Sequence, residues 1–270
     1  MTQNNHKHDA LEAYGAIARV YDRLNAEIDY FAWGNFVEAC FARYLKGKPE
    51  LLLDLACGTG SMTLELASRG YDMIGVDGSS DMLSVAYERA ADRECEGVLF
   101  LLQDMRSFEL YGTVGAVTCC LDSINYLPSA KDVARTFAGV HNYLDPDGLF
   151  LFDVNTPYKF KHIYGDNAYI LEDEFGNEEG EVTSVYCGWQ NHYDEQSGRC
   201  TFDLSLFEEL PGGAFERSDE TQTEYCYTKE QLENLLNQTG FEVLGCFGDW
   251  DFSEPKENCE RYYFVARAKK

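Results

Sequence analysis

The sequence predicts an α/β fold, a parallel sheet covered by helices on both faces, and three observations carry that expectation. Between residues 50 and 155, short apolar runs of strand length alternate with helix-length segments. The first of those runs ends on a glycine turn, Gly58-Thr59-Gly60, that opens straight into a helical pattern. From about residue 170 to 226 the texture changes to long strand-like segments separated by turn signals, which predicts a small antiparallel sheet inserted into the larger unit.

Each element follows from local pattern. Residues 9 to 47 are helical in periodicity, with aromatic residues interleaved: Tyr14, Tyr21, Tyr30, Phe31, Trp33, Phe36, Phe41 and Tyr44. The parallel strands are expected at Leu51–Ala56, Asp72–Asp77, Val98–Gln103, Ala116–Cys120 and Leu149–Val154. A helix over Ser61–Arg69 carries Met62, Leu64, Leu66 and Ala67 as its apolar members. The inserted sheet is expected to hold three strands. Val182–Tyr193 and Arg199–Leu210 are joined by the hairpin loop Asp194-Glu195-Gln196-Ser197-Gly198, and Ala214–Tyr227 follows the Pro211-Gly212-Gly213 turn. Phe202, Leu204 and Leu206 should share one face of the second strand. Thr228 with Gln231 three residues on reads as a capping box, ahead of a buried stripe of Leu232, Leu235 and Leu236 and a stop at Gly240. Phe241–Phe247 and Tyr262–Ala268 are the last strands. The expected organisation is therefore a helical amino-terminal segment over 1–47, a core over 48–160 and 226–270, and the inserted sheet over 161–225.

Composition narrows the classes of function. A chain of 270 residues with 45% apolar content can bury a full core. Its formal charge of −25, from 47 acidic and 22 basic residues, repels polyanions. Nucleic acid and anionic membrane are thus poor partners. Residues 1 to 9 lack the apolar core of a signal peptide, and no apolar run approaches the ~20 residues needed to span a bilayer, so a cytoplasmic location is expected. The ten cysteines show no CxxC pair and no ligand spacing with histidine, so they read as reduced, small apolar residues and no metal is implied. Cys119 and Cys120, adjacent within one strand, should point to opposite faces.

The glycine turn after the first strand is the richest local signal. A strand, a glycine turn and a helix in that order bring backbone N–H groups to a ligand at the carboxyl edge of a sheet. A second strand ends in Asp77, 17 residues after Gly60, where a carboxylate can accept from ribose hydroxyls. A dinucleotide site would place a third glycine three residues after the second, for close approach of the pyrophosphate. Here that position is Thr63, which favours a nucleoside ligand without phosphates.

These residues carry a family resemblance. Asp54-Leu55-Ala56-Cys57-Gly58-Thr59-Gly60 followed by Gly75-Val76-Asp77 resembles the first two motifs of class I S-adenosylmethionine-dependent methyltransferases. Leu101-Leu102-Gln103-Asp104-Met105 resembles the third-strand acid segment of that family. The run from Ala116 to Leu127 resembles its fourth strand and following loop, and Leu144 to Asp153 the turn into its fifth strand. Asp145 and Asp147 stand there in place of the commoner lysine and glycine. The resemblance covers residues 10 to 155 well and 226 to 270 more loosely.

The resemblance implies a Rossmann-like doubly wound seven-stranded sheet with an antiparallel last strand, plus the inserted antiparallel β-sheet acting as a cap. It implies S-adenosyl-L-methionine as cofactor and transfer of its methyl group to a nitrogen or oxygen of a small-molecule acceptor, by a monomer or homodimer. Cofactor-binding residues carried over are Asp54, Ala56, Gly58, Gly60, Asp77, Gly78, Met82, Gln103, Asp104, Met105 and Leu121, with Tyr14 and Tyr21 on an amino-terminal lid. Asp77 would take the ribose hydroxyls, and Asp104 the adenine amino group. Asp122, Asn125 and Tyr126 fall where the family places groups facing the methyl donor or acceptor, Asp122 as a proton acceptor and the other two as orienting groups. Trp189, His192 and Tyr225 are further candidates for the acceptor wall. The rival readings are an NAD(P)-dependent oxidoreductase and a non-catalytic interaction module that has kept the fold.

Overall fold

A computed structural model describes residues 18, 21, 25, 27–176 and 182–270. The chain builds two sheets. In the larger, β1 (Leu51–Leu55), β2 (Asp72–Asp77), β3 (Val98–Leu102), β4 (Val114–Cys119) and β5 (Leu144–Asn155) run parallel. Beside β5 lie β11 (Arg261–Ala268) and β10 (Phe241–Phe247), in the order β10-β11-β5-β4-β1-β2-β3. β11 is antiparallel to both of its neighbours, as the resemblance implied. The sheet order reverses between β1 and β4, and that switch point is where an α/β sheet opens a crevice at its carboxyl edge.

Helices cover both faces: α1 (Tyr30–Tyr44), α2 (Ser61–Ser68), α3 (Ser80–Asp92), α4 (Ala130–Tyr143) and α5 (Lys229–Gln238). The alternation of side chains along the strands assigns each core. On β5, Phe150, Phe152 and Val154 pack with Val133 and Phe137 of α4 and Leu232 and Leu236 of α5. Leu149 and Leu151 turn the other way and meet Trp33, Phe36 and Val37 of α1 with Met62 and Leu66 of α2. Cys119 lies in the first core and Cys120 in the second, on opposite faces as expected. The Thr228–Gln231 capping box at α5 is formed in both directions.

Between β5 and α5 a π-helical turn (Lys159–Tyr164) leads into a separate sheet, β6-β7-β8-β9: Ala168–Gly176, Val182–Asp194, Arg199–Glu209 and Phe215–Tyr225. Phe202, Leu204 and Leu206 share its covered face. The sheet has four strands where the sequence suggested three. β6 was hidden because it is an edge strand. Tyr169 and Ile170 are exposed, and an acidic run follows them in place of apolar alternation. β5 is also longer than expected. It pairs Leu144 with Val114, then leaves the register through Asp147 and rejoins it at Leu149.

Candidate functional site

Strain marks the carboxyl edge of the sheet. Ala56, directly after β1, has φ 59°, and Leu121 and Asp122, after β4, have φ 56° and 51°. Non-glycine residues in the left-handed region are held there by their surroundings at a cost, and such residues concentrate at functional sites. A cleft opens between these two turns, lined by Asp54, Ala56, Cys57, Gly58, Thr59, Ser61, Met62, Cys120, Leu121 and Ser123 together with Tyr21 and Tyr30.

The glycine turn forms its floor. Gly58 and Gly60 have φ 55° and 79°, and Gly60 caps α2, its carbonyl accepting from Leu64 N–H at 2.8 Å. Gly58 faces open space, with nothing within 4 Å of where a Cβ would stand. A Cβ at Gly60 would meet Ala86 and Phe100 at 3.1 and 3.2 Å. One glycine leaves room on the cleft side, and the other lets α2 pack closely. Arg89 of α3 braces the turn from behind, donating to the Thr59 carbonyl, Thr59 Oγ1 and Ser61 Oγ at 2.8–3.2 Å.

Two carboxylates underpin this floor. Asp77 accepts from Gly58 N–H and Ser79 N–H, each at 2.8 Å, so it ties the tip of β2 to the turn. Burial pushes its carboxyl above the usual range, against the pull of the Ser79, Gly58 and Gly78 amides. Asp54 is 1% exposed inside β1 and accepts from Thr63 Oγ1 at 2.6 Å and Thr118 Oγ1 at 2.8 Å. Burial raises it to about 6, even though both hydroxyls favour its charged form. Thr63, which the sequence marked only as a missing glycine, thus joins Thr118 in satisfying Asp54. Ser79 caps α3 and holds the buried Met82 by its N–H at 3.3 Å, with Gly78 between it and Asp77.

The structure brings Tyr21, Asp54, Ala56, Gly58 and Leu121 into the cleft wall, with Gly60, Asp77, Gly78 and Met82 immediately behind or beside it. Tyr14 lies outside the described residues. The third-strand segment sits one strand further along. Gln103 closes a side-chain ring with the backbone of Glu109 at 2.7 and 3.2 Å, and Met105 packs into the core under α4. Asp104 is gripped by Arg106 through its backbone N–H, Nε and Nη2, at 2.5–3.0 Å. Burial alone would raise Asp104, but the guanidinium beside it brings it below the ordinary carboxylate range.

The β4 loop residues divide. Asp122 pairs with Arg261 of β11, Oδ1 to Nη2 at 2.7 Å, and its N–H donates to Asp153 at 3.0 Å. Arg261 also pairs with the buried Asp153, whose carboxyl burial raises. Asn125 is fully buried, its amide donating to the Tyr225 carbonyl and accepting from Asn155 N–H, both at 2.9 Å. Tyr126 donates to Gln222 at 2.9 Å. These two bind the loop to β5 and β9 and are absent from the cleft lining. Of the other wall candidates, His192 stands half exposed on the outer face beside Asp203, and Trp189 packs edge-on against Phe202. The sequence reading did not single out Tyr30, Arg89, Asp153, Arg261, Lys159 or Glu224. For Asp153 and Glu224 the available signal was an acid at a strand position that should be buried.

The family model described as a methyltransferase domain matches residues 52–148. YqeM of Bacillus subtilis (strain 168), whose name assigns it provisionally to the methyltransferases, is 33% identical over 258 residues, covering 95% of this chain and 98% of that protein. A glycine/sarcosine N-methyltransferase of Aphanothece halophytica is 25% identical, over 80% of this chain and 75% of its own length. The crystal structure of an S-adenosylmethionine-dependent methyltransferase from Clostridium acetobutylicum ATCC 824 superposes with a TM-score of 0.81 at 27% identity, covering 96% of this chain and all of that one.

Proposed function

The chain belongs to the S-adenosylmethionine-dependent methyltransferases, and on that premise we propose that it methylates a small molecule at nitrogen or oxygen, nitrogen being favoured. The NAD(P) reading falls with that membership. The observation that carries the proposal is the cleft itself. It is a glycine-floored crevice at the sheet's switch point, backed by the buried Asp54 and the half-buried Asp77, with a second sheet tied to its β4 rim through Asn125–Tyr225 and Tyr126–Gln222. Such an arrangement suits an enclosed metabolite better than a macromolecule. The similarity to a glycine/sarcosine N-methyltransferase supports nitrogen.

The residues present fit the cofactor. Gly58 leaves open space at the floor, and Asp77 is pinned at the tip of β2, where it has lone pairs to spare for ribose hydroxyls. Asp54 keeps the glycine turn in register with α2 and places negative charge beneath a cationic sulfonium. Met82 and Leu121 offer apolar contact, and the backbone of Gln103–Met105 flanks the adenine side. When bound, S-adenosylmethionine supplies an electrophilic methyl carbon. The protein's work is positioning: the acceptor lone pair, methyl carbon and sulfur must be collinear, and water must be kept out. In this reading residues 48–160 and 226–270 are the catalytic core, 161–225 the cap and 1–47 a lid whose Tyr21 reaches the cleft.

Calorimetric titration with S-adenosylhomocysteine tests the cofactor half. Release of S-adenosylhomocysteine across a panel of amine and hydroxyl metabolites tests the acceptor half. Tight binding with turnover of small molecules is expected. Failure of the wild type to bind would refute the reading.

A further inference from the structure

β9 breaks the pattern of its own sheet. On β8, Cys200, Phe202 and Leu204 turn to the covered face, and the β9 residues in register with them are Glu224, Gln222 and Glu220. An inward row on such a strand should be apolar. Instead Glu224 is 3% exposed and Gln222 4%. A buried carboxylate is costly unless it is paired, and Glu224 is paired only on one side. Its Oε2 accepts from Asn155 Nδ2 at 2.9 Å, while Oε1 accepts no hydrogen bond among the described residues.

The groups around Glu224 come from five elements. The loop after β4 supplies Asp122, β5 supplies Asp153 and Asn155, the π turn supplies Lys159 and Tyr164, β8 supplies Cys200, and β11 supplies Arg261 with Glu260 just before it. Asn155 holds the centre together, donating to the Tyr164 hydroxyl at 3.0 Å and accepting from Lys159 Nζ at 3.1 Å. Arg261 is committed to Asp122 and Asp153. Three buried or half-buried carboxylates, Asp122, Asp153 and Glu224, therefore face two cations, so with every one of these groups ionised the carboxylates outnumber the cations by one. Asp153 Oδ1 is also buried without a hydrogen-bond partner among the described residues. Burial, then the charge of Asp122, pushes Glu224 well above the usual carboxylate range, and burial pulls Lys159 down.

The cluster begins one residue beyond Leu121 of the cofactor cleft, at the carboxyl ends of β4 and β5, and its Asp122 and Arg261 side chains keep 15% and 19% exposure. We propose that this cluster is the subsite for the acceptor's amino group and that Glu224 takes the proton its nitrogen sheds. The inference rests on the small-molecule methyltransferase reading and narrows it to amines. In the step, the nitrogen lone pair forms the N–C bond to the methyl carbon as the C–S bond breaks, its electron pair staying on sulfur to give S-adenosylhomocysteine. The resulting alkylammonium passes one N–H proton to the Glu224 carboxylate, leaving a neutral methylated amine and a carboxylic acid that later returns its proton to water. The amine enters unprotonated, and the positive charge that develops on its nitrogen as the N–C bond forms is what the carboxylates offset, whereas a neutral hydroxyl is a far weaker nucleophile than a neutral amine.

The test compares wild type with Glu224→Gln and Glu224→Asp. Acceptors are glycine, sarcosine, ethanolamine and glucosamine, against glycolate, ethylene glycol and glucose, with S-adenosylhomocysteine binding as the control. Turnover confined to amines is expected, with a kcat that rises with pH as Glu224 ionises. Glu224→Gln should lower kcat about a hundred-fold and flatten that limb while cofactor affinity holds, as fits the loss of a general base. Glu224→Asp should restore the limb. Hydroxyl acceptors turned over as readily as amines, no amine turned over by a wild type that binds S-adenosylhomocysteine, or a Glu224→Gln profile matching wild type would each overturn the proposal. A wild type that fails to bind the cofactor refutes the underlying reading instead. If Glu224→Gln does not fold, difference infrared spectroscopy on wild type decides. The carbonyl band of a buried carboxylic acid must change when the accepted amine binds, and an unchanged band overturns the assignment.

Discussion

Replacing Asp54 by asparagine isolates the electrostatic cost of the carboxylate beneath the cofactor cleft. The side chain is 1% exposed, its two oxygens accept from Thr63 and Thr118, and burial lifts it from its ordinary 3.8 to about 6. A raised carboxyl means the native state still holds a proton that the unfolded chain has released. Its contribution is therefore fully present below about pH 4 and lost as pH rises through about 6. At 1.36 kcal/mol per pH unit, the difference corresponds to about 3 kcal/mol, all of it lost by pH 7. Asparagine has no charge to bury, but one threonine hydroxyl must turn to accept from its amide, at a cost of about 1 kcal/mol. At pH 7 the variant should match or slightly exceed wild-type stability. The difference between the two, followed by urea midpoints from pH 4 to 7.5, should change by about 3 kcal/mol across that range. Taking the difference cancels the other raised acids, Asp77, Asp153 and Glu224. A parallel pair of curves would refute the reasoning. Cofactor affinity should fall at the same time, because the stability gained comes from removing charge beneath a cationic ligand.

Other outcomes follow from the same geometry. Asp77→Ala strips the acceptor from Gly58 N–H and Ser79 N–H, both at 2.8 Å. Bonds to a charged group are worth about 1.5–3 kcal/mol each, so S-adenosylhomocysteine affinity should fall at least about a hundred-fold by calorimetry, and an unchanged affinity would refute the role. Gly75→Ala puts a methyl 2.6 Å from Phe100 Cδ1 and 2.9 Å from Cys57 Sγ. It should cost about 1–3 kcal/mol in chemical denaturation, part of which Phe100→Leu should return. Arg261→Met leaves Asp122 and Asp153 facing each other without a cation. A loss of about 3–5 kcal/mol is expected, and one below about 1 kcal/mol would show that the triad is not a closed ion pair.

The cofactor half of the site was legible in the sequence because its information is local. A strand, its glycine turn and the helix it opens are contiguous over Leu51–Ser68, and Asp77 ends the next strand. Backbone sterics and strand alternation suffice to read such a unit. What stayed hidden, even here, was the partner of each polar group. Thr63 counted against a dinucleotide before it could be seen to satisfy Asp54, and Asp104 was read as free for adenine although Arg106, two residues on, closes on it. The missing strand β6 has the same cause. An edge strand with Tyr169 and Ile170 exposed has no buried face to impose the period-2 pattern by which strands are recognised.

The acceptor half is assembled from Asp122, Asp153, Asn155, Lys159, Tyr164, Glu224 and Arg261, which come from both sheets and meet only in three dimensions. Asp153 to Tyr164 share one stretch of sequence, but Asp122, Glu224 and Arg261 reach it only through the fold. Yet the cluster is inconsistent with the fold at one point that register makes visible, since Glu224 stands opposite Cys200 on a face where Phe202, Leu204 and Leu206 make the core. With Gln222 buried beside it on the same row, a carboxylate held on this inward face is kept against a stability cost. Such retention is expected where a positive charge develops on the acceptor during the reaction and a proton must be taken up. The position that disagrees with its sheet is therefore more informative about the substrate than the motifs that agree with the family, because those motifs describe a cofactor common to many acceptors.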